Sequence, residues 1–229
     1  AYVVDNVVID YFASASATPT PTPTPTPIPG LGMSDDFTGT TIDTNKWVVT
    51  PGGGTITQND VLTMTGPGTW SQTYMIATSI FPRTDGAGGV LRFTHDVGST
   101  SGSHFLMGFY AGGVPADPPL YGFYYNAGGV LNPKQGGSQT NDTADDDIRV
   151  RCTLDPVQGA LWERDLKEGA GWETIRDTRW EGGDTSSEYS FFLMAYGDAY
   201  VVDNVVIDYF DPASATPTPT PTPTPIPGL

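Results

Sequence analysis

The sequence is poor in cysteine, histidine and positive charge. It contains one cysteine, Cys152, and two histidines, His95 and His104. One cysteine cannot form an intramolecular disulfide, and the sequence has too few Cys and His residues for a zinc or iron–sulfur centre. Only 10 basic residues stand against 26 acidic ones, so the formal charge is −16. Nucleic acid and anionic membrane surfaces bind to clustered Lys and Arg, so we expect neither as a partner.

Long apolar runs are also absent. No segment approaches the roughly 18 consecutive apolar residues of a membrane-spanning helix, so we expect no membrane insertion. The apolar stretch at residues 1–12 is interrupted by Asp5 and Asp10, and no basic residues precede it, so it is not typical of a signal peptide. The sequence has neither a Gly-x-Ser-x-Gly motif nor a glycine-rich phosphate-binding loop, which disfavours serine-hydrolase and nucleotide sites.

A repeat is the strongest signal in the sequence. Residues 1–12 and residues 199–210 both read AYVVDNVVIDYF, and the identity continues into the segments that follow. Between residues 1–31 and 199–229 only two positions differ, with Ala13 against Asp211 and Ser14 against Pro212. Packing does not dictate every residue of a strand and its flanks, so this identity indicates a recent duplication.

The repeat is compatible with two arrangements. In a tandem array, residues 1–12 are the last strand of a preceding domain, 13–31 a linker, 32–211 one full domain and 212–229 the next linker. Alternatively, residues 1–12 form a donor strand that inserts into a neighbouring subunit. One domain has a single place for this strand while the chain carries two copies, which favours the array. In both cases the expected partner is the protein itself, as an array or a homopolymer.

The prolines are concentrated in the two linkers. Each linker has five Thr-Pro pairs followed by Ile-Pro-Gly-Leu. Proline fixes its own φ and biases the preceding residue towards polyproline II, so twelve such residues predict a semi-rigid rod about 37 Å long. Alternating Thr and Pro is typical of O-glycosylated stalks, and a bare tether is the alternative. The expected glycosylated residues are Thr18, Thr20, Thr22, Thr24, Thr26, Thr216, Thr218, Thr220, Thr222 and Thr224.

The region between the linkers shows the period-2 pattern of β-strands. Residues 148–154 alternate apolar with polar, which predicts a half-buried strand. Further strands are predicted at residues 47–50, 55–58, 61–65, 69–81, 90–95, 104–111, 120–126, 161–166, 172–178 and 189–197. The pattern contains almost no helix signal, and short strands without helices predict two antiparallel sheets packed face to face. We therefore predict an all-β jelly-roll sandwich.

Four motifs carry a resemblance to a known superfamily: DDFTG with IDTNKW at 35–47, GTITQNDVLTM at 54–64, the two tryptophans of the 161–178 hairpin, and VDNVVI at 202–207. This region, about residues 34–210, resembles the concanavalin A-like jelly rolls, which include laminin-G-like domains, legume-type lectins and family 16 glucanases. The resemblance implies the fold. It does not imply one activity, because the fold hosts lectins, enzymes and inert spacers.

Three carboxylates are the candidate catalytic residues. Glu163, Asp165 and Glu168 have the E-x-D-x-x-E spacing of family 16 glucanases, in which two carboxylates perform retaining hydrolysis. Arg164 and Lys167 stand at positions that are apolar in that family, and their charges would neutralise the acids. Glu168 also runs into a Gly-Ala-Gly turn. We therefore expect an ordinary charged hairpin and no enzyme, with a family 16-like glycoside hydrolase as the alternative.

The resemblance also implies a structural calcium ion between the first and last strands. Asp203 matches the last-strand aspartate that would bind it, Asp36 near the first strand is expected beside it, and carboxylates suit Ca²⁺. Asp203 is expected on one strand face with Val201, Val205 and Ile207. An unpaired carboxylate there would be costly, so Asp203 either binds a cation or accepts hydrogen bonds from backbone amides.

Sugar-binding residues and a possible sequon complete the candidates. Carbohydrate binding needs exposed aromatic rings beside polar groups, and Trp70, Tyr110 and Tyr124 are candidates, although half of any strand's aromatic side chains face the core. Asn141 begins an Asn-x-Thr sequon next to an acidic loop at residues 142–147.

The sequence thus predicts an extracellular or cell-surface structural protein. It would be a stalk or fibre of β-sandwich domains joined by stiff, glycosylated linkers. The alternative is a carbohydrate-binding module that attaches a cell or an enzyme to a polysaccharide or surface glycan.

Overall fold

The computed structural model describes residues 31–98, 104–112, 115, 119–125, 130–136, 138–139, 142–143, 148–165, 171–179, 186, 188–197 and 199–211. These residues form two antiparallel β-sheets, and no helix occurs among them. In the described part of the chain there is accordingly no helix that could span a membrane. The predicted all-β, two-sheet sandwich is confirmed. Residues 1–12, linker residues 13–30 and the second linker, 212–229, lie outside the described residues.

The described residues form seventeen strands. In chain order they are β1 (Met33–Asp35), β2 (Trp47–Thr50), β3 (Thr55–Gln58), β4 (Leu62–Thr65), β5 (Thr73–Ala77), β6 (Phe81–Pro82), β7 (Val90–Val97), β8 (Phe105–Tyr110), β9 (Tyr121–Tyr125), β10 (Val130–Gln135), β11 (Ser138–Gln139), β12 (Asp142–Thr143), β13 (Ile148–Leu154), β14 (Ala160–Asp165), β15 (Glu173–Asp177), β16 (Glu188–Ala195) and β17 (Tyr200–Phe210).

The strands divide into an eight-stranded and a nine-stranded sheet. The first has the order β15-β14-β13-β7-β17-β4-β3, with β1 also paired to β17. The second has the order β11-β10-β9-β8-β16-β5-β2, with β12 paired to β10 and β6 paired to β16. Strands that are distant in the sequence lie side by side in both sheets. In particular, β17 lies between β7 and β4, so the eight-stranded sheet is complete only when β17 has joined it.

Alternating side chains explain why these segments pair as they do. In β13, Ile148, Val150 and Cys152 are buried while Arg149 and Arg151 point outwards. One face of the sheet is therefore apolar, and it packs against the apolar face of the other sheet.

The core between the sheets is rich in aromatic rings. Phe93 of β7 lies at its centre, with ring centroids 5.2 Å from Phe109, 5.9 Å from Phe123 and 5.0 Å from Phe191. These contacts join β7 of one sheet to β8, β9 and β16 of the other. Large rings at tilted or edge-on angles fill the core and fix the distance between the sheets.

The last strand contains a bulge that changes which residues face the core. Asn204 adopts a φ of 49°, and the register between β17 and β7 shifts between Asp203 and Val206. Asn tolerates this left-handed conformation better than most residues. Before the bulge Val202 is buried, and after it Val205 is buried.

This bulge corrects one prediction. Asp203 does not share a face with Val205 and Ile207, because the extra residue at the bulge reverses the alternation between them. Asp203 and Val201 are half-buried on the outer side of the sheet, whereas Val205 and Ile207 point into the core.

Most predicted strands are present, but two regions differ. Residues 69–81 were predicted as one strand and instead form β5 and β6, with Trp70 in the turn before β5. Gly66, Pro67 and Gly68 precede this turn, and Ser71 has a φ of 60°, which lies outside the extended region of a regular β-strand. Strand β10 was not predicted, since Pro133 interrupts it and it has no regular alternation. Asp142, assigned to an acidic loop, lies in the short strand β12.

Candidate functional site

The two outer faces of the sandwich differ in chemistry. The outer face of the eight-stranded sheet carries arginine–carboxylate pairs. Arg92 donates to Asp208 at 2.6 and 3.0 Å, and Arg149 donates to Asp96 at 2.7 and 3.3 Å. The outer face of the nine-stranded sheet instead carries an apolar and aromatic cluster that is separate from the core. The charged groups of the first face satisfy one another, so we take the second face as the candidate site.

We call this face of the nine-stranded sheet the aromatic surface. Its buried members are Leu106, Tyr110, Phe192 and Met194, and the half-buried side chains packed against them are Trp70, Tyr74, Ile76 and Tyr124. The strand register arranges them in rows that cross β5, β16, β8, β9 and β10. One row is Tyr74, Met194, Leu106, Tyr124 and Asn132, and the next is Ile76, Phe192, Gly108, Gly122 and Lys134.

Two paired glycines interrupt the second row. Gly108 of β8 lies opposite Gly122 of β9, and their backbones approach closely. A Cβ atom built on Gly108 would lie 2.5 Å from the Cα of Gly122. The centre of the aromatic surface therefore has no side chains for the width of two strands, between Phe192 on one side and Lys134 on the other.

Trp70 is placed over one end of the surface by the turn that precedes β5. The backbone N–H of Ser71 donates to the Sδ atom of Met194 at 3.2 Å and holds the turn against β16. The centroid of the Trp70 ring lies 4.8 Å from that of Tyr196, 6.0 Å from that of Tyr124 and 6.2 Å from that of His104. Four rings thus form one half-buried group.

Polar contacts orient the Tyr124 ring within this group. The Nδ1 atom of His104 hydrogen-bonds to the Tyr124 hydroxyl, and the two rings stack with centroids 5.5 Å apart. The Lys134 ammonium lies 4.8 Å from the centroid of Tyr124, which is a cation–π distance. The Asn132 amide donates to the backbone oxygen of Tyr124 at 3.3 Å. An aromatic ring is thereby fixed next to several hydrogen-bonding groups.

Tyr110 lies at the opposite end of the surface. Its ring meets that of Phe192 edge-on, with centroids 5.4 Å apart, and Ser190 is its partner across β16. Burial raises the pKa of Tyr110, and the hydrogen bond from Ser190 partly offsets this effect. The phenol therefore stays neutral near pH 7 and can donate or accept a hydrogen bond.

The structure places the three predicted sugar-binding residues on one outer face, with Trp70 and Tyr124 in contact at one end and Tyr110 at the other. Trp70, Tyr110 and Tyr124 all belong to the aromatic surface, whereas their neighbours Phe109 and Phe123 point into the core.

Three polar residues of the aromatic surface were not identified from the sequence. His104 was considered as a metal ligand, and Asn132 and Lys134 lie on β10, which was not predicted. Their spacing of two residues was the available signal, and Pro133 between them concealed it.

The predicted catalytic carboxylates lie on the other outer face. Both oxygens of Glu163 accept from Arg151, at 2.6 and 2.8 Å, and the same guanidinium stacks 4.0 Å from the centroid of the Trp172 ring. Asp165 is half-buried at the end of β14, opposite Arg149. Glu168 lies outside the described residues. Glu163 is thus held in a bidentate ion pair and does not face an open cleft.

The predicted calcium ligands lie near a cleft of about 260 Å³ between β1 and the bulge of β17. Its lining residues are Ser34, Asp35, Asp36, Lys46, Asn204, Val205 and Val206. The Asp35 carboxylate is already engaged there. It accepts from Trp47 Nε1 at 2.7 Å and from the backbone N–H of Phe37 at 3.1 Å, and the Lys46 ammonium lies 3.6 Å away.

These residues do not fit a calcium site as they lie. Asp203 is not part of the cleft, and its two oxygens accept from the backbone and side chain of Asn204 at 2.8 and 3.2 Å. Asp36 accepts from the backbone of Thr38, a hydrogen bond that lowers the pKa of Asp36. The cation already in the cleft is Lys46. Among the described residues no three His, Cys, Asp or Glu side chains are grouped for a metal ion.

Asn141 and every predicted O-glycosylated threonine lie outside the described residues.

Cys152 is buried in the core, and burial raises the pKa of its thiol well above the usual value, so it is not a reactive nucleophile.

Comparison with known proteins gives structural matches without sequence matches. No protein family matches the sequence, and no curated protein does. A protein of unknown function from Shewanella oneidensis aligns with a TM-score of 0.55 at 12% identity, over 82% of this chain and 89% of that one. The exoplasmic/lumenal domain of VIP36 in its Ca²⁺/Man2-bound form gives 0.53 at 10% identity, over 82% and 90%.

A plant protein gives a similar match. Arcelin-5, a lectin-like defence protein from Phaseolus vulgaris, aligns with a TM-score of 0.52 at 10% identity, over 79% of this chain and 99% of that one. Identities this low show the fold alone. The chain has the concanavalin A-like jelly-roll fold that legume lectins and VIP36 share.

Proposed function

We propose that this domain binds carbohydrate through its aromatic surface, as a module of an extracellular or cell-surface protein. The observation that carries the proposal is the set of half-buried rings, led by Trp70 and Tyr124, on the outer face of the nine-stranded sheet. The fold supports the proposal, since VIP36, which shares it, has been solved with a bound mannose disaccharide. Its low identity transfers no binding residues to this chain.

The aromatic surface has the chemistry that a sugar ring requires. Sugars present apolar C–H faces and a rim of hydroxyl groups, and a binding site needs flat apolar groups beside a few oriented donors and acceptors. Trp70 and Tyr124 provide the flat groups. Lys134, His104 and the hydroxyl of Tyr124 provide polar atoms within the same few ångströms. The surface extends along a row of strands, which suits an extended glycan.

In this proposal the domain binds carbohydrate and does not cleave it. Hydrolysis with retention needs two carboxylates about 5 Å apart that face the substrate. The carboxylates predicted for that role, Glu163 and Asp165, lie on the other outer face, and Glu163 is paired with Arg151. Because the residues of the Asp36 cleft do not fit a calcium ion, glycan binding should also persist in EDTA.

Replacing Trp70 by alanine should weaken glycan binding about tenfold or more, because a buried aromatic anchor typically contributes over 1.4 kcal/mol to an interface. A Tyr124→Ala variant should have a similar effect. The full chain would be screened on a glycan array, and the affinity for the best ligand would then be measured by calorimetry for each variant.

Trp172→Ala is the matched control. Trp172 is also a half-buried tryptophan, but it stacks on Arg151 on the opposite face, so its loss should leave glycan binding unchanged. The proposal fails if Trp70→Ala, folded as judged by its near-ultraviolet spectrum, binds as tightly as the parent. Cleavage of a β-glucan that is abolished by Glu163→Gln would instead support an enzyme.

A second function, as a structural repeat of a stalk or fibre, is favoured by a separate observation. The nearly identical segments at residues 1–31 and 199–229 predict domains strung on stiff Thr-Pro linkers. Glycans on these threonines would keep the rods extended and protected from proteases. The two functions are compatible, because a repeated binding module gains avidity from a spaced array.

Intact mass spectrometry of the chain from its native source tests the linker chemistry. We expect mass beyond that of the polypeptide, removed when O-glycans are released, with the modified peptides mapping to residues 18–26 and 216–224. An unmodified mass in these peptides would show that the linkers are bare tethers.

A further inference from the structure

We propose that residues 1–12 act as an interchangeable closing strand, which takes the place of β17 in a second copy of this chain and so links the copies by strand exchange. We call residues 1–12 the N-terminal copy of β17. The proposal does not depend on glycan binding, and its test is separate.

The place that β17 occupies is specific for its side chains. Val205 and Ile207 point into the core and are almost fully buried. The Tyr200 ring stacks on Phe105 with centroids 4.2 Å apart, and the Tyr209 hydroxyl donates to the backbone oxygen of Pro82 at 2.7 Å. Asp208 accepts a bidentate hydrogen bond from Arg92. Only a strand with these residue types at these spacings can fill the place.

The N-terminal copy meets every one of these requirements. It offers Tyr2, Val7, Ile9, Asp10 and Tyr11 in the same order and spacing. The bulge of β17 also needs a residue that tolerates a positive φ, and the residue at that point of the copy is again asparagine. Because the twelve residues are identical, either segment makes the same contacts in this place.

The linker directs the N-terminal copy to another chain. Met33 of β1 lies opposite Ile207 of β17, so a copy inserted into its own domain would place Ile9 opposite Met33. The loop from residue 13 to residue 32 would then have to return on itself. It contains the Thr-Pro rod, predicted to be about 37 Å long. The other residues of the loop, 13–17 and 30–32, reach at most about 29 Å when fully extended.

Closure within one chain would therefore require the loop to be fully extended, whereas insertion into a second chain does not require this. The rod then serves as the spacer between the two domains. Exchange competes with each domain's own β17, which follows β16 of the nine-stranded sheet after only four residues, 196–199. Exchange is accordingly expected when domains fold at high concentration.

A pair of matched substitutions tests the proposal in the full chain. An aspartate in place of Ile207 puts an unpaired charge into the core and disables β17, and Ile9→Asp makes the same change in the N-terminal copy. Each variant, and the double variant, would be refolded at several concentrations. Light scattering coupled to size exclusion gives the mass, and near-ultraviolet circular dichroism reports core packing.

We expect Ile207→Asp to fold only as oligomers of at least twice the chain mass, Ile9→Asp to fold as a monomer, and the double variant not to fold. Three results would overturn the proposal. Ile207→Asp could fail to fold at every concentration, fold as a monomer through closure within one chain, or stay folded together with the double variant because the aspartate is tolerated.

A second measurement does not depend on a destabilised variant. A fluorescent peptide with the sequence of residues 1–12 is added while the Ile9→Asp chain refolds. We expect the label to co-elute with the folded protein, and a peptide carrying the Ile9→Asp change to elute free. Equal incorporation of both peptides, or of neither, would contradict the proposal.

Discussion

Replacing Gly108 by alanine is expected to lower the free energy of unfolding by at least about 3 kcal/mol, because two effects act together. Gly108 has a φ of 145°, which residues with a side chain rarely adopt. A Cβ atom would also lie 2.3 Å from the backbone oxygen of Tyr121 and 2.5 Å from the Cα of Gly122. Both obstacles belong to the backbone of β9, so no side-chain rotation relieves them, and β8 must separate from β9.

Gly112→Ala is the matched control for the Gly108 variant. Gly112 has a φ of 98°, and a Cβ atom built on it meets nothing within 4 Å. Its replacement should therefore lower the free energy of unfolding by only about 1–2 kcal/mol, the usual cost of a left-handed conformation for a residue with a side chain. Urea denaturation followed by tryptophan fluorescence measures both changes. Equal losses in the two variants would mean that the close approach of β8 and β9 is unimportant.

A second large effect is a loss of stability in mild acid caused by His95. This side chain lies fully buried between the sheets, and burial lowers its pKa to about 4, an effect that the neighbouring Asp96 partly offsets. Neither ring nitrogen has a hydrogen-bond partner among the described residues. Its ring stacks on Phe93, with Phe123 edge-on and Val150 opposite on β13. The imidazole is therefore neutral in the folded protein.

The direction of this effect follows from proton binding. Between pH 6.5 and about 4 the unfolded chain binds a proton at His95 and the folded chain does not, so stability falls as the pH falls through this window. At about 1.4 kcal/mol per pH unit the loss is about 3 kcal/mol. Above the window His95 contributes no pH dependence, and below it the loss is constant.

His95→Phe removes the titrating group and keeps a flat ring in its place. The unfolding free energy of the variant should fall by about 3 kcal/mol less than that of the parent between pH 7 and pH 4, as measured by urea denaturation. The carboxylates paired with arginines are the same in both proteins, so their contributions to the pH dependence of the unfolding free energy cancel in the comparison. If both proteins lose the same stability, His95 is not buried in neutral form.

Strands with one solvent-exposed face were readily predicted from the sequence. For strands with two apolar faces, the sequence did not show which side chains point into the core. In β13 the arginines alternate with aliphatic residues, and the predicted bounds match the structure. In β8 every residue from Phe105 to Tyr110 is buried, so alternation cannot distinguish the core side from the aromatic surface. Only the pairing with β9 and β16 shows that Tyr110 points outwards.

Part of the candidate site depended on backbone geometry that residue types do not specify. The bulge at Asn204 reversed the alternation of β17 and moved Asp203 away from the face predicted for it. The predicted pair of Glu163 and Asp165 was correctly spaced along β14. The ion pair of Glu163, however, depends on Arg151 of the adjacent strand, which no local pattern reveals.

The place of β17 in the chain also determines when the domain can fold during synthesis. Among the described strands β17 is made last, yet it lies inside its sheet between β7 and β4. Until residue 210 has left the ribosome, β7 and β4 have no strand between them, and such long-range pairing is slow.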